Sequence, residues 1–233
     1  HIWKFITLAY IPPTIAGIVL AYRGKLLAGG ILTAFFIALQ IMSNHVQMSY
    51  YFLFVILFIA GAYFEDAWRN KTLPQFFKAS AVLLVSALIG VAANLSNLYH
   101  TYTYSKETMR GKSELVQTGD AAKQTSSGLD RDYITNWSYG IGETWTLLVP
   151  NFKGGSSSAP LSQSEAAMEK ANPMYGSLYN SLPQYFGSQP WTAGPVYVGA
   201  FVLFLFVLGC FIVKGPLKWA LLGATFFSIV LAW

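Results

Sequence analysis

Charge is scarce in this chain, and cysteine scarcer. Asp, Glu, Lys and Arg make up 11% of its 233 residues, less than half of the ~25% usual in a soluble domain. A water-facing surface needs more than that, which argues against an ordinary soluble protein. The one cysteine, Cys210, sits inside an apolar run. That excludes a disulfide framework and a cysteine-based metal cluster and leaves a small residue facing lipid or core. The formal net charge of +5 belongs to membrane topology, and no nucleic-acid partner is expected. What the chain has instead is apolar mass: 54% hydrophobic residues and a mean hydropathy of +0.44.

That mass is gathered into runs. Leu26 to Ser43, Gln47 to Phe64, Ala79 to Leu98 and Gly194 to Val213 are long, apolar and almost free of charge. A bilayer core of about 30 Å takes roughly 20 apolar residues in a helix, and a backbone in lipid must satisfy its own hydrogen bonds. Ile2 to Tyr22 makes a further span, with a kink expected at Pro12-Pro13. Leu217 to Trp233 makes another, expected to be incomplete. Opening at His1 without a secretory-signal pattern and closing inside an apolar run, the sequence reads as a piece of a longer protein. The expected fold is an all-α polytopic membrane protein. Residues 1–98 hold four transmembrane helices, 99–193 one large extracytoplasmic loop subdomain, and 194–233 two more helices, about six spans in all.

Orientation follows from Lys and Arg in the short connections. Arg23 and Lys25, then Arg69, Lys71 and Lys78, then Lys214 and Lys218 fall on alternate turns, while Asn44 to Val46 carries none. Residues 22–25, 65–78 and 214–218 are therefore expected in the cytoplasm, and the 44–46 turn and the long loop outside. Within the loop, Asp120 to Gly128 and Gly154 to Ser164 are poor in apolar residues and read as flexible. Between them, Tyr133 to Phe152 is rich in Trp, Tyr, Ile and Leu. A plain tether needs no such residues, so this part is expected to fold against the membrane domain, with Trp137 and Trp145 burying apolar area there or against each other.

Four stretches, SNHVQMSYY at 43–51, TMRGKSEL at 108–115, SGLDRDYITNWSYGIGETWTLLVPNFKGG at 127–155 and HIWKFITLAYIPPTIAGIVLAYRGK at 1–25, together resemble the YfhO-like bacterial membrane proteins in their Bacteroidetes form. The resemblance runs in order along nearly the whole chain. It implies a GT-C-like fold, a place in the bacterial inner membrane with the large loop periplasmic, and a glycosyltransferase that takes sugar from a polyprenyl-phosphate donor. The implied partners are the lipid bilayer, the lipid-linked sugar and an envelope glycan or protein acceptor. The catalytic carboxylate of such enzymes lies in a first external loop, which the resemblance places upstream of His1, so no residue here is expected to inherit that role.

Individual residues offer chemistry of their own. His45 and Gln47 sit at the mouth of a hairpin between two spans. An imidazole there can move a proton or meet a phosphate, though a short turn also simply needs polar residues. His1 and Lys4 share a helix face. A lysine within a membrane segment either faces a cavity or partner, such as a pyrophosphate, or snorkels to the interface. Arg110 and Lys112 follow the interfacial aromatics Tyr99 to Tyr104 at head-group height and suit a lipid-linked phosphate; they also have Glu107 and Glu114 to pair with. Asp130 and Asp132 form an Asp-x-Asp pair able to hold a divalent cation, with Arg131 between them. Glu143, after Gly140-Ile141-Gly142, is a candidate acid–base or sugar-binding carboxylate flanked by Trp137 and Trp145; the competing reading is a structural corner.

The leading expectation is thus transfer of a sugar from a polyprenyl-phosphate donor to an extracytoplasmic acceptor, with His45 and Glu143 as candidate catalytic groups. His1, Lys4, Gln47, Arg110, Lys112, Trp137 and Trp145 are the candidate substrate-binding residues. A transporter or flippase of lipid-linked saccharide is the first alternative; it calls for ionisable residues near the midplane, which the spans from Leu26 to Leu98 hardly carry. A non-catalytic scaffold is the second.

Overall fold

A computed structural model describes residues 2–107, 135–192, 194 and 196–233. The described residues are helical, with no regular strand among them. They divide into two compact units.

The first unit is a helical bundle. It contains α1 (Ile2–Ala9), α2 (Ile11–Tyr22), α3 (Leu26–Met42), α4 (Val46–Arg69), α5 (Leu73–Ala92) and α6 (Leu95–Ser105). α1 and α2 are one membrane-length helix broken at Tyr10. Pro12 and Pro13 lack the N–H groups that would continue the ladder, and they occupy the first turn of α2, where no such bond is needed. Three stretches are long and apolar enough to cross a membrane: Lys4–Tyr22, Val46–Arg69 and Leu73–Ala92. α3 is shorter, at 17 residues.

Burial on α3 is inverted relative to a helix of a soluble bundle, while Ile18 of α2 and Phe52 and Ile59 of α4 are buried in the ordinary way. Leu27, Ile31 and Phe35 of α3 are 79%, 62% and 56% exposed, while Thr33 and Gln40 are each 2% exposed. Large apolar groups outside and small or polar groups inside suit a lipid surround, where apolar burial brings no gain and close packing holds helices together. The packing is specific. Gly17 and Ala21 on α2 meet Gly29 and Thr33 on α3, each pair four residues apart on one face. A Cβ placed on Gly29 would lie 2.5 Å from the Ala21 nitrogen and 2.6 Å from the Gly17 carbonyl oxygen. One residue on, Gly30 and Ala34 turn to α5, where Ser86 and Gly90 repeat the spacing; a Cβ on Gly90 would lie 2.9 Å from the Ala34 carbonyl oxygen. α3 is therefore gripped on two faces by stripes of small residues.

Successive turns fall at opposite ends of the bundle. Tyr22 donates to or accepts from Ser80 at 3.1 Å and stacks on Tyr63 and Phe76, with centroids 4.6 and 5.4 Å away. At the other end Thr7 meets Ser43, and Thr101 donates to Asn44 at 3.2 Å. Two boundaries differ from expectation. The basic connection expected over 65–78 shrinks to three residues, because α4 continues to Arg69 and α5 starts at Leu73. Helical hydrogen bonding does not stop where hydropathy falls. It stops at Lys71, which has a φ of 58°, and restarts at Pro74 in the first turn of α5. The span expected to reach Leu98 ends at Ala92 and turns into α6.

α7 (Ala200–Ile212) and α8 (Pro216–Ala232) follow the loop. α7 begins only after Gly199, whose φ is 101°, so the run expected from Gly194 yields 13 helical residues. At about 1.5 Å per residue these cover roughly 20 Å, short of a bilayer core of about 30 Å.

The second unit takes in the described loop residues, α7 and the end of α8. Its centre is two extended segments, 153–161 and 182–186, running antiparallel. Gly155 donates to Gln184, Phe186 to Lys153, Leu161 to Leu182 and Gln184 to Ala159, at 2.7 to 3.1 Å. Pro160 and Pro183 face each other in an isolated bridge, and neither has an N–H to give, which keeps the pairing from becoming a ladder. Gly154 to Ser164, read as flexible from composition, is therefore tied by a segment about thirty residues away, a pairing that local composition does not encode. Asp120 to Gly128 lies outside the described residues.

Candidate functional site

Two polar centres stand out, one in each unit. The first lies where α1, α3 and α4 meet. Thr7 of α1 is fully buried, and its hydroxyl meets that of Ser43, which is 6% exposed. Ser43 in turn donates to the Gln40 carbonyl at 2.6 Å. Around this chain of bonds, three buried polar atoms have no hydrogen-bond partner: Gln40 Nε2, His45 Nδ1 and Ser49 Oγ. Such orphans each cost about 1–3 kcal/mol when desolvated, so their gathering at one junction calls for an explanation. His45 caps α4 in position only: its φ is −108° and its side chain bonds none of the first-turn N–H groups. Lys4 is half-buried one turn before Thr7, on the same face of α1. Gln47 is exposed.

The second centre surrounds Glu143, which is 1% exposed. It lies on the 3-10 turn Ile141–Leu147. The threefold period of that turn puts Glu143 and Thr146 inside and Trp145 outside. Glu143 Oε1 accepts from Tyr185 Oη at 2.7 Å, from the Ser188 N–H at 2.6 Å and from the Ser188 hydroxyl at 3.4 Å. Gly187 permits this approach, since a Cβ there would lie 2.0 Å from both Glu143 Oε1 and Tyr185 Oη. Gln189 donates its backbone N–H to Tyr185 Oη at 3.3 Å and its side-chain amide to the Trp137 carbonyl. Glu143 Oε2 and Thr146 Oγ1 are buried without a partner. Burial, then the bond to Glu143, pushes the Tyr185 phenol up to about 12. A phenolate beside a carboxylate is disfavoured on both counts. The Lys153 ammonium lies beside this turn, 3.4 Å from where a Cβ of Gly142 would be, yet makes no ion pair with Glu143; among the described residues the ion pair present is Arg69 with Glu65.

Within the loop unit neither Trp137 nor Trp145 is buried. They are 55% and 54% exposed, and Trp145 tilts against Phe152 with centroids 6.3 Å apart. The loop's polar groups form its centre and its large rings face outward. Glu143 is flanked by these tryptophans in sequence but is enclosed, where a ligand at the surface does not reach it.

The structure thus brings Lys4 and His45 to one junction, keeps Gln47 at its rim, and sets Glu143 with Trp137 and Trp145 in a separate centre. His1, Arg110, Lys112, Asp130 and Asp132 lie outside the described residues. Among the described residues no group of three or more His, Cys, Asp or Glu side chains could hold a metal ion. Sequence reasoning missed Thr7, Gln40, Ser43 and Ser49, although polar residues on one face of otherwise apolar helices were the available signal. It missed Tyr185, Ser188 and Gln189 because their link to Glu143 crosses more than forty residues. Neither protein-family models nor curated proteins nor solved structures give a match to this chain.

Proposed function

We propose that this chain belongs to a membrane glycosyltransferase of GT-C-like architecture, about six helices deep in this part, that moves a sugar from a polyprenyl-phosphate donor to an acceptor outside the inner membrane. The observation that carries the reading is the outward-facing aromatic surface of the loop unit. Trp137 and Trp145 present their rings to solvent on a backbone pinned by the Glu143–Tyr185–Ser188 bonds. Exposed rings on a rigid base suit the apolar faces of sugars, because little freedom is lost on binding. Glu143 acts here as a positioning residue, holding the turn that displays them. The helices offer no ionisable residue at mid-length in α2 to α5, and their polar groups collect at the ends, which favours chemistry at the membrane face over passage through it.

The test is transfer of labelled sugar from polyprenyl-phosphate in vesicles containing the full-length protein. Losing an aromatic anchor costs more than about 1 kcal/mol, so Trp137→Ala and Trp145→Ala should each lower transfer several-fold. Glu143→Gln, which keeps an oxygen for Tyr185 and Ser188, should lower it less than Glu143→Ala. Normal transfer by the double tryptophan variant would remove this surface from the reaction.

A further inference from the structure

We propose that the junction of α1, α3 and α4 is a binding site for a phosphate-class oxyanion, held by the uncapped start of α4 together with Gln40, Ser49, His45 and Lys4. The argument begins with what the junction offers. The first N–H groups of any helix lack internal acceptors, and the aligned peptide dipoles make that end positive. α4 is 24 residues long, and no side chain caps it. By itself a bare helix start is unremarkable. Here it is joined by Gln40, 2% exposed, whose amide nitrogen has two hydrogens to donate and no acceptor. Gln40 lies one turn before Ser43, whose hydroxyl meets α1, so its face of α3 looks into the junction. Ser49 adds a buried hydroxyl and His45 a buried ring nitrogen, both unpartnered and one turn apart on α4. Lys4 adds a full positive charge from α1.

The Gln40 amide nitrogen and the Lys4 ammonium can only donate, and the Ser49 hydroxyl and the His45 ring nitrogen are able to donate as well. Amide, hydroxyl, ammonium and helix N–H groups together match a ligand with several acceptor oxygens and negative charge. A neutral hydroxyl compound would satisfy the amide but leave the lysine uncompensated. A cation is repelled by both the lysine and the helix start. The elements that build the junction bring no carboxylate of their own: the first 64 residues contain no Asp or Glu. Among the described residues Lys4 makes no ion pair, and α1, α3 and the first turns of α4 place a cation and orphan donors together without an anion of their own.

A free phosphate and the phosphate of a lipid share this chemistry. The site rests on the transferase reading only for the source of the anion, which in that reading is the polyprenyl-phosphate donor. The experiment uses the full-length protein in nanodiscs of phosphatidylcholine. In one arm inorganic pyrophosphate is titrated and followed by phosphorus NMR. In the other, nanodiscs carry undecaprenyl phosphate or, as control, undecaprenol, and retained lipid is counted by native mass spectrometry. Saturable binding is expected in at least one arm, and the arm identifies the source. Gln40→Leu and Lys4→Met should each weaken it about tenfold to a hundredfold, the range for a hydrogen bond to a charged group. Ser80→Ala, at the opposite end of the bundle, should leave it unchanged. Gln40→Glu, close in shape but negative, should abolish binding in a protein that still unfolds cooperatively. Absence of saturable binding in both arms, or wild-type binding by Gln40→Leu and Lys4→Met, would overturn the site. Binding that persists while sugar transfer is absent would remove the transferase reading and leave the site standing; transfer without binding would do the reverse.

Discussion

Adding one methyl group at Gly29 and the same methyl at Gly61 should change stability in opposite directions. Both glycines lie inside apolar helices, so composition does not distinguish them. Their surroundings do. A Cβ on Gly29 would sit 2.5 Å from the Ala21 nitrogen, 2.6 Å from the Gly17 oxygen and 2.8 Å from the Ala21 Cβ, whereas a Cβ on Gly61 meets nothing within 4 Å. Two of the three obstacles at Gly29 are backbone atoms, so no rotamer relieves them, and the α2 and α3 axes must move apart. Overpacking of this kind typically costs 1–3 kcal/mol, written here as about 2. The separation also loosens Gly17 against Thr33, since the two contacts share one seam. At Gly61 the methyl enters free space and helix propensity improves by about 1 kcal/mol on aqueous scales. Gly29→Ala and Gly61→Ala should therefore differ by about 3 kcal/mol. Gly90→Ala, with its nearest backbone atom 2.9 Å away, should fall between them. The assay is reversible unfolding of the purified protein in mixed micelles, followed by tryptophan fluorescence. Equal midpoints for Gly29→Ala and Gly61→Ala would refute the close α2–α3 seam.

In the loop unit, Glu143→Ala strands the Tyr185 hydroxyl and the Ser188 N–H. At about 1–3 kcal/mol for each buried orphan, residues 140–190 should become sensitive to limited proteolysis, and digestion identical to wild type would show that the carboxylate does not hold the loop. Tyr185 should ionise near 12, against the usual value near 10. Because its folded pKa is raised, the stabilisation is fully present below about pH 10 and is lost as pH climbs through about 12. Absorbance at 295 nm should show a late phenol that is lost in Tyr185→Phe and moves lower in Glu143→Gln, and no such phenol would contradict the burial and the Glu143 bond that cause the shift. For topology, Val46→Cys should react with an impermeant thiol reagent in spheroplasts, and Asn70→Cys only after the cells are opened, both in a Cys210→Ser background. The reverse pattern would invert the orientation.

How much of this was legible beforehand depends on the range of the interaction. Apolar runs located α2, α3, α4 and much of α5, because lipid-facing helices are apolar over most of their surface. The proline break fell within two residues of Pro12, since a missing N–H acts locally. Helix ends were misplaced by up to six residues at α5, because Lys71 and Pro74, not hydropathy, set the boundary there. The loop was the least legible. Its order comes from pairing between residues 153–161 and 182–186 and from Glu143 reaching Tyr185, contacts that span 20 to 45 positions. Trp137 and Trp145, judged by residue type alone, pointed to rings that bury apolar area. The threefold turn that carries Trp145 instead gives its inner positions to Glu143 and Thr146.

The seam and the junction are linked by the same physics. In lipid, apolar surface gains nothing by being buried, so the bundle depends on backbone approach along Gly17, Gly29, Gly30 and Gly90. On the reading proposed above, α3 held that closely keeps Gln40 from relaxing onto nearby carbonyls. Preorganised donors of this kind are a cost to the empty protein and a gain on binding. The two positions should then respond in opposite senses. Gln40→Leu removes a buried orphan and should leave stability unchanged or raised, while anion binding falls. Gly29→Ala, in whatever fraction still folds, should lose stability and binding together, because the donors are free to relax once the α2–α3 spacing opens. A Gln40→Leu protein that unfolds earlier than wild type would mean that the amide is already satisfied within the bundle, and the junction would then be a structural knot with no place for a ligand.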